Sequence, residues 1–288
     1  MLYMDQIILN TTSLRKGNNQ FKNIYDYQFP NNINFKDGDS IGLASLSMYN
    51  SFFNIRSALG NNTFSYVWNA ATPTTHNITL DDGFYDIASL NYKIQYEMIL
   101  NDHYMIDSAG DYVYYIELVL NSVVNGTRFN FTPIPNSSEA TALSYTQPSG
   151  SSWVLPTVKK CAEIIISSSF GVLFGFESGT YPSVTSDFIV VKNTLSGEIQ
   201  QVNSIFLTCN LVNSPISNPP NIIGAIPLKS SFGSLIQYES SERVHQKIFP
   251  GNYKNLTITL YDQSMNPLVI NDTEGFVLTL VVDWVKRE

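Results

Sequence analysis

The densest group of potential metal ligands consists of Asp102, His103, Asp107 and Asp111. Carboxylate oxygens in a loop are the ligands that calcium prefers. The spacing of these residues does not match the ligand positions of an EF-hand loop. The same segment is also typical of a solvated helix exit followed by a turn. We favour this second interpretation, and the sequence therefore predicts no metal site.

Adjacent carboxylates at Asp81 and Asp82 offer a second kind of chemistry, because glycoside hydrolysis uses a pair of carboxyl groups. However, Asp82 and Gly83 form a turn dipeptide, since glycine adopts the positive φ that such turns need. A turn before a helix therefore explains both aspartates. Trp68 and Trp153 have the side chains to stack on a sugar, but 13% of the chain is aromatic and core positions explain them as well.

The candidate nucleophiles are Cys161 and Cys209, and the candidate bases include His76 and His245. Cys209 alternates with apolar residues on a predicted strand, which indicates a buried free thiol rather than a partner for His245. Motifs for nucleophile elbows, zinc proteases, phosphate-binding loops, dinucleotide sites and redox dithiols are absent. The sequence predicts no catalytic residue and no cofactor, and hence a protein that is not an enzyme.

The stretch Asn77–Leu100 predicts a strand, a tight turn and a helix. Asp86 is placed to cap the helix by accepting hydrogen bonds from the free amides of its first turn. Apolar residues then follow at spacings of three and four, which gives the helix one apolar face: Ile87, Leu90, Ile94 and Met98. This is the only helix that the sequence predicts, and we expect it to lie on a sheet.

Composition indicates a mainly β protein. Only 14% of the 288 residues are charged, against about 25% in typical domains, and aromatic, Asn, Ser and Thr residues are frequent. The net charge of −8 and the absence of a basic cluster argue against direct nucleic-acid binding. No apolar stretch approaches the roughly 20 residues of a membrane span.

Strand and turn patterns predict three strands near the beginning and five near the end of the chain. Eight strands are the number in a single jelly roll, a sandwich of two packed sheets. We therefore assign residues 1–60 and 187–288 to a jelly-roll domain. Residues 61–186 are predicted to form an inserted small α+β or β-rich module with one helix, in which Pro133–Pro156 is an exposed or mobile loop.

Taken together, four stretches resemble the penton, or minor capsid, proteins of virophages and related Polinton-type DNA elements. They occur in the same order as in that family and span most of the chain: Ile41–Ile55; Asn61–Trp68 with Ile78–Asn91; Phe170–Pro182; and Val202–Val212 with the closing Val277–Val285.

This resemblance implies a structural capsid protein. Five copies would form a homopentamer, the penton, at each five-fold vertex of an icosahedral double-stranded DNA virus shell. The ring would pack against a separate major capsid protein with a double jelly roll, and the inserted module would face outward. The expected location is the virion, at the capsid vertex, after synthesis in the host cytoplasm.

Two further hypotheses stay open at this stage. The chain could be a jelly-roll carbohydrate- or receptor-binding module, which predicts a shallow groove with Trp68 or Trp153 exposed to a host receptor or glycan. Separately, His245 lies near Glu239, Glu242 and Arg243 in the sequence. If His245 lies at a subunit contact, its protonation would make the ring sensitive to pH.

Overall fold

The computed structural model describes residues 3–12, 14–16, 22–121, 126–183, 186–195, 197, 199–241, 244–271 and 275–286. Glu242 and Arg243 lie outside the described residues. The chain divides into two compact units, which we call the sandwich unit (residues 1–52 and 202–288) and the inserted unit (residues 53–201). Each unit has a hydrophobic core of its own.

The strands are, in chain order, β1 (Tyr3–Asn10), β2 (Arg15–Lys16), β3 (Ile24–Phe35), β4 (Ser40–Tyr49), β5 (Thr63–Trp68), β6 (Thr74–Thr79), β7 (Met105–Ile106), β8 (Tyr112–Val113), β9 (Ile116–Asn121), β10 (Gly126–Phe131), β11 (Pro133–Ile134), β12 (Lys160–Cys161), β13 (Glu163–Ile166), β14 (Gly179–Tyr181), β15 (Ile189–Lys192), β16 (Ser204–Cys209), β17 (Ile222–Pro227), β18 (Leu235–Glu239), β19 (His245–Lys247), β20 (Gly251–Tyr261) and β21 (Val277–Trp284). The helices in the described ranges are α1 (Ile87–Leu100), α2 (Ser137–Ala142) and α3 (Ser168–Phe174), with a short 3-10 helix at Ser57–Leu59.

The sandwich unit consists of two antiparallel sheets. The first has the order β1-β21-β4-β18, with β19 also paired to β4, and the second has the order β17-β16-β20-β3-β2. Without the short β2 and β19, the two sheets contain eight strands in the described part of the sandwich unit. Taken in chain order, these eight strands belong to the first, second, first, second, second, first, second and first sheet. This is the connectivity of a jelly roll, so the predicted mainly β fold is confirmed.

Alternation along the strands fills the space between the two sheets. Leu256, Ile258 and Leu260 of β20 point into the core. Leu278 and Leu280 of β21 belong to the same core but come from the other sheet. Successive side chains of a strand point to opposite faces. The residues between these core positions therefore form the outer surface of the sandwich.

A buried aspartate fixes the turn between β3 and β4. The carboxylate of Asp39 accepts hydrogen bonds from the backbone amides of Lys36 at 2.8 Å and Val285 at 2.9 Å. Gly38 in the same turn has a φ of 95°, and a Cβ atom there would lie 2.6 Å from a methyl carbon of Val285. The turn therefore needs glycine at position 38. The hydrogen bond from Val285 to Asp39 also fixes the chain directly after β21.

Helix α1 of the inserted unit forms as the sequence predicts. The carboxylate of Asp86 accepts a hydrogen bond from the amide of Ser89 at 2.7 Å, which caps the first turn. All four residues of the predicted apolar face are buried. The helix packs beside the edge strand β9, where the side-chain oxygen of Asn91 accepts a hydrogen bond from the amide of Leu118 at 2.7 Å.

The prediction of a single helix is wrong, because the described part of the inserted unit also contains α2 and α3. Helix α2 begins with a capping box between Asn136 and Glu139. It lies within Pro133–Pro156, which the sequence analysis assigned to an exposed or mobile loop. Helix α3 is capped by Ser167 and ends at Gly175, whose φ is 79°. Burial of Phe170 and Phe174 stabilises this short helix.

The larger sheets of the inserted unit have the orders β14-β13-β5-β6 and β15-β10-β9. The predicted boundaries at residues 61 and 186 and the outward orientation of the module stay predictions. None of the helices in the described ranges is long and apolar enough to cross a membrane.

Candidate functional site

The acidic segment after α1 is organised by its own hydrogen bonds. The side chain of Asp107 accepts hydrogen bonds from the amides of Ala109 at 2.8 Å and Asp111 at 2.9 Å. This closes the turn between β7 and β8. The backbone oxygen of Asp102 accepts a hydrogen bond from the indole of Trp153 at 2.6 Å. Across the described ranges, no group of three or more His, Cys, Asp or Glu side chains is arranged to hold a metal ion.

His103, the fourth candidate ligand, is part of a buried aromatic cluster. Its ring stacks on Trp68 at a centroid distance of 4.8 Å, and its Nδ1 atom lies 2.9 Å from the hydroxyl of Tyr66. Burial lowers the pKa of His103 to about 3, with a smaller contribution from the nearby His76. Burial also raises the pKa of the Tyr66 hydroxyl. The cluster therefore stays uncharged at neutral pH and acts as core.

The second carboxylate candidate also has a structural role. Asp82 accepts a hydrogen bond from the amide of Ser57 at 2.6 Å, and its other oxygen lies 3.4 Å from the Ser57 hydroxyl. Asp82 thus links the turn before α1 to the 3-10 helix. Trp68 is fully buried, as the interpretation of it as a core residue predicts, so it cannot be the exposed tryptophan that the binding-module hypothesis requires. Trp153 is only partly buried.

The two thiols are buried and free, as the sequence predicts. Burial raises the pKa of Cys161 to about 11 and that of Cys209 to about 12, so neither is a thiolate at neutral pH. Cys209 points into the core of the sandwich. The imidazole of His245 instead meets Asp283 on the outer side of the sheet, with its Nδ1 atom 2.8 Å from a carboxylate oxygen. The structure therefore does not bring Cys209 and His245 together, in agreement with the interpretation of Cys209 as a buried thiol.

One extended surface of the sandwich unit is the outer side of its first sheet. We call the outward positions of β1, β21, β4 and β18 the lateral face. Cross-strand pairs align them in rows, such as Ile8 with Thr279 and Leu235 with Tyr49. The exposed fraction of Ile8 is 65% and that of Leu235 is 41%.

Charge is sparse on the lateral face. Its outward positions on these four described strands hold no lysine or arginine, and Asp283 and Glu239 are the acidic ones. The centre consists of hydroxyl, amide and apolar side chains: Gln6, Ile8, Ser45, Ser47, Tyr49, Leu235, Gln237, Val277 and Thr279. Covering such a surface requires little desolvation of charge, which is typical of the centre of protein–protein interfaces.

The inserted unit carries a second surface feature, which sequence reasoning missed. Tyrosine rings pack in pairs there, Tyr92 with Tyr96 on α1 and Tyr112 with Tyr104 at the β7–β8 hairpin. The spacing of Tyr92 and Tyr96 by four residues places both on one side of the helix, and this signal can be read from the sequence. The pairing of Tyr112 with Tyr104 cannot be read in this way, because the hairpin brings the two rings together.

Comparison with known proteins identifies similar folds. No family model matches the chain, and no curated protein matches it. The chain is similar to the crystal structure of the mavirus penton protein, at 13% identity and a TM-score of 0.47, over 99% of this chain and 100% of that chain. It is also similar to a chain in the structure of the Sputnik virophage, at 12% identity and a TM-score of 0.44, over 99% and 98%. Both structures come from virophages, whose penton proteins the four stretches of the sequence resemble.

Proposed function

We propose that the protein is a structural capsid component that forms homopentameric rings at the five-fold vertices of an icosahedral shell. The ring packs against a separate major capsid protein built from double jelly rolls. This proposal rests on the four stretches that resemble penton proteins and on the single jelly roll of the sandwich unit. Assembly of this kind needs no catalytic residue, and the protein is accordingly not an enzyme.

The lateral face is the observation that carries the proposal. Strands lie about 4.8 Å apart and rise about 3.4 Å per residue, so a four-stranded face with eight-residue strands covers roughly 500 Å² in plane. A stable interface buries about 800 Å² on each partner. The lateral face thus supplies most of one side of a subunit contact, and the loops beside it supply the remainder.

Ring closure explains how contacts of ordinary size hold the assembly. Neighbours in a ring meet through two different surfaces of the same chain, and the ring closes when the rotation between them divides a full turn. Each subunit is then held by two contacts at once, and the second forms at a high effective concentration. We propose that the lateral face meets the opposite flank of the next subunit.

We propose that the inserted unit faces the outside of the capsid shell. It interrupts the jelly roll between β4 and β16, both of which belong to the sandwich, so it leaves the eight-stranded topology complete. Its own core of aromatic and aliphatic residues gives it an independent packing. An outward module would reach the surroundings of the virion while the sandwich forms the shell.

Native mass spectrometry of the purified chain tests the proposal. The mass of the assembly is to be determined at micromolar chain concentration, both for the chain alone and for the chain mixed with the major capsid protein. A mass of five subunits, with or without the major capsid protein, supports the proposed homopentamer. A monomer in both settings, with no entry into particles, would exclude the assembly role and leave the binding-module function as the better explanation.

A further inference from the structure

The inserted unit carries most of the negative charge of the chain. Residues 53–201 contain 13 Asp and Glu side chains but only six Lys and Arg, which gives this unit a net charge of −7 out of the −8 of the whole chain. A surface of one sign attracts partners of the opposite sign and speeds their encounter. The inserted unit is therefore suited to a basic partner.

A groove of about 530 Å³ lies between the beginning of α1 and β9, and six of its nine lining residues are apolar. We call it the β9 groove. Its apolar side chains include Ile87 of α1, Leu118 and Leu120 of β9, and Ile199. Leu120 lies on the same side of the strand as the buried Leu118, because the two are two residues apart. The exposed fraction of Leu120 is nevertheless 53%, so it offers an uncovered apolar contact.

The outer edge of β9 is open at Leu120. In the described part of the chain β9 pairs only with β10. The amide of Thr132 donates to the backbone oxygen of Tyr115 at 3.2 Å, so the backbone groups of Tyr115 face β10. The next residues alternate, and the amide of Leu118 accordingly points away from β10 and donates to Asn91 at 2.7 Å. The N–H and C=O groups of Leu120 share this outward direction, which is the arrangement that accepts a further strand.

Two carboxylates flank the β9 groove. Glu117 is exposed and accepts a hydrogen bond from the side chain of Asn130 at 2.8 Å. Hydrogen bonds from the side chain and the amide of Ser89 lower the pKa of Asp86, and the helix dipole offsets part of its charge. Arg128 of β10 lies diagonally opposite Glu117. Among the described residues, however, neither carboxylate forms an ion pair, so the rim of the groove stays negative.

We propose that the β9 groove binds an extended, basic segment of another polypeptide, which adds to β9 as a further strand. Side chains of a strand alternate between its two faces. Those on the side of Leu120 are apolar and fill the groove, and those on the side of Glu117 are lysine or arginine. Main-chain hydrogen bonds to Leu120 contribute affinity, and the alternate side chains give specificity. The proposal does not depend on a role of the chain in a capsid.

Two short synthetic peptides that differ only in charge provide the first test. Both have valine at alternate positions, and the positions between hold lysine in one peptide and glutamate in the other. Fluorescence anisotropy measures their binding to the intact chain at low salt and at about 0.5 M salt, where exposed charges are screened. We expect the lysine peptide to bind and to lose affinity at high salt. The glutamate peptide should bind roughly tenfold more weakly or not at all.

Substitutions then locate the lysine peptide on the chain. Leu120→Ser removes the apolar contact and should weaken binding about tenfold. Glu117→Gln should weaken it about two- to fivefold, as expected for an exposed ion pair. Leu143→Ser is the control for the first variant, because Leu143 of the same unit is also 53% exposed. Glu177→Gln is the control for the second, since it changes the net charge of the unit equally. Both controls should bind like the intact chain.

Hydrogen exchange of the intact chain locates the peptide without any substitution, and it decides the matter if a variant fails to fold. The amide of Leu120 should be protected only when the lysine peptide is bound, whereas the amide of Val119 faces β10 and is protected in both states. The proposal is overturned if the lysine peptide does not bind at millimolar concentration, if the glutamate peptide binds equally well, if the folded double variant Leu120→Ser/Glu117→Gln binds like its controls, or if the Leu120 amide stays unprotected in the complex.

Discussion

His103 makes the stability of the inserted unit depend on pH. Burial among aromatic rings lowers the pKa of its imidazole from 6.5 to about 3. Between these values the unfolded chain binds a proton that the folded chain does not, so the free energy of unfolding rises with pH. Above about pH 6.5 the imidazole is neutral in both states, and this contribution no longer changes.

We expect His103→Gln to reduce the loss of stability on acidification. Each bound proton changes the free energy of unfolding by at most about 1.4 kcal/mol per pH unit, so over the two units from pH 6 to pH 4 the intact chain should lose up to about 2.5 kcal/mol more than the variant. Urea unfolding at pH 7, 6, 5 and 4 measures the difference. Because carboxylates titrate equally in both chains, parallel pH profiles would contradict a neutral buried His103.

Asp82 tests whether the adjacent carboxylates are catalytic or structural. Its hydrogen bonds with Ser57 connect the turn before α1 to the 3-10 helix. We expect Asp82→Ala to lower the free energy of unfolding by roughly 0.5–1.5 kcal/mol. Asp82→Asn should cost less, because the amide oxygen still accepts from the Ser57 backbone. Thermal unfolding compares the two. A glycosidase activity that is lost in Asp82→Asn would refute the structural role.

At the level of elements, Asn54 holds the beginning of the inserted unit to its end. Its side-chain nitrogen donates to the backbone oxygens of Tyr85 at 2.9 Å and Ile199 at 3.0 Å. Its side-chain oxygen accepts from the amide of Tyr85 at 2.8 Å. Asn54 is fully buried, so water cannot replace these bonds.

Asn54→Ala should therefore be strongly destabilising, by about 2–4 kcal/mol, since it leaves three backbone hydrogen-bonding groups without their partner. Asn62→Ala is the control. The Asn62 side chain is half buried and donates one hydrogen bond, to the Leu80 oxygen at 3.2 Å, and its loss should cost about 1 kcal/mol or less. Chemical unfolding followed by tryptophan fluorescence measures both. Equal losses in the two variants would show that Asn54 does not hold the unit together.

Local patterns were enough to predict most of these elements. Strand β20 alternates regularly, and α1 has both a cap and an apolar face, so each can be identified without its neighbours. Helix α3 contains Gly171 and is only seven residues long. Its helical state depends on burial of Phe170 and Phe174, which a local pattern does not reveal. The capping box of α2 was a signal that could have been used.

The candidate sites were less predictable, because they depend on what lies opposite each residue. The acidic segment has the composition of a calcium loop, but Asp107 is engaged by the amides of its own turn. Trp68 has the side chain of a sugar-binding residue, yet it is buried against His103. Sequence spacing within one element cannot supply that arrangement.

For the molecule as a whole, the lateral face connects composition to assembly. The low charge of the chain is a property of this surface as well as of the core, because hydroxyl and amide residues occupy its outward positions. A free chain tolerates such a surface in water, since serine, threonine and glutamine are well hydrated. A neighbouring subunit can cover the hydroxyl, amide and apolar positions of this surface without stranding an ionised group. Introducing a charge there should therefore affect assembly while leaving the fold intact.

Ile8→Lys and Leu235→Lys place an ammonium group on the lateral face. Both residues are exposed in the single chain, so thermal unfolding of the subunit should change little. A buried unpaired charge costs roughly 3–5 kcal/mol at a contact, which corresponds to a loss of about two to four orders of magnitude in affinity. Native mass spectrometry should therefore show fewer pentamers, or particles without the variant if rings form only within the shell.

Ile216→Lys, at a position that is 93% exposed and outside the four strands of the lateral face, should assemble normally. Normal assembly of all three variants would place the subunit contact on another surface of the sandwich.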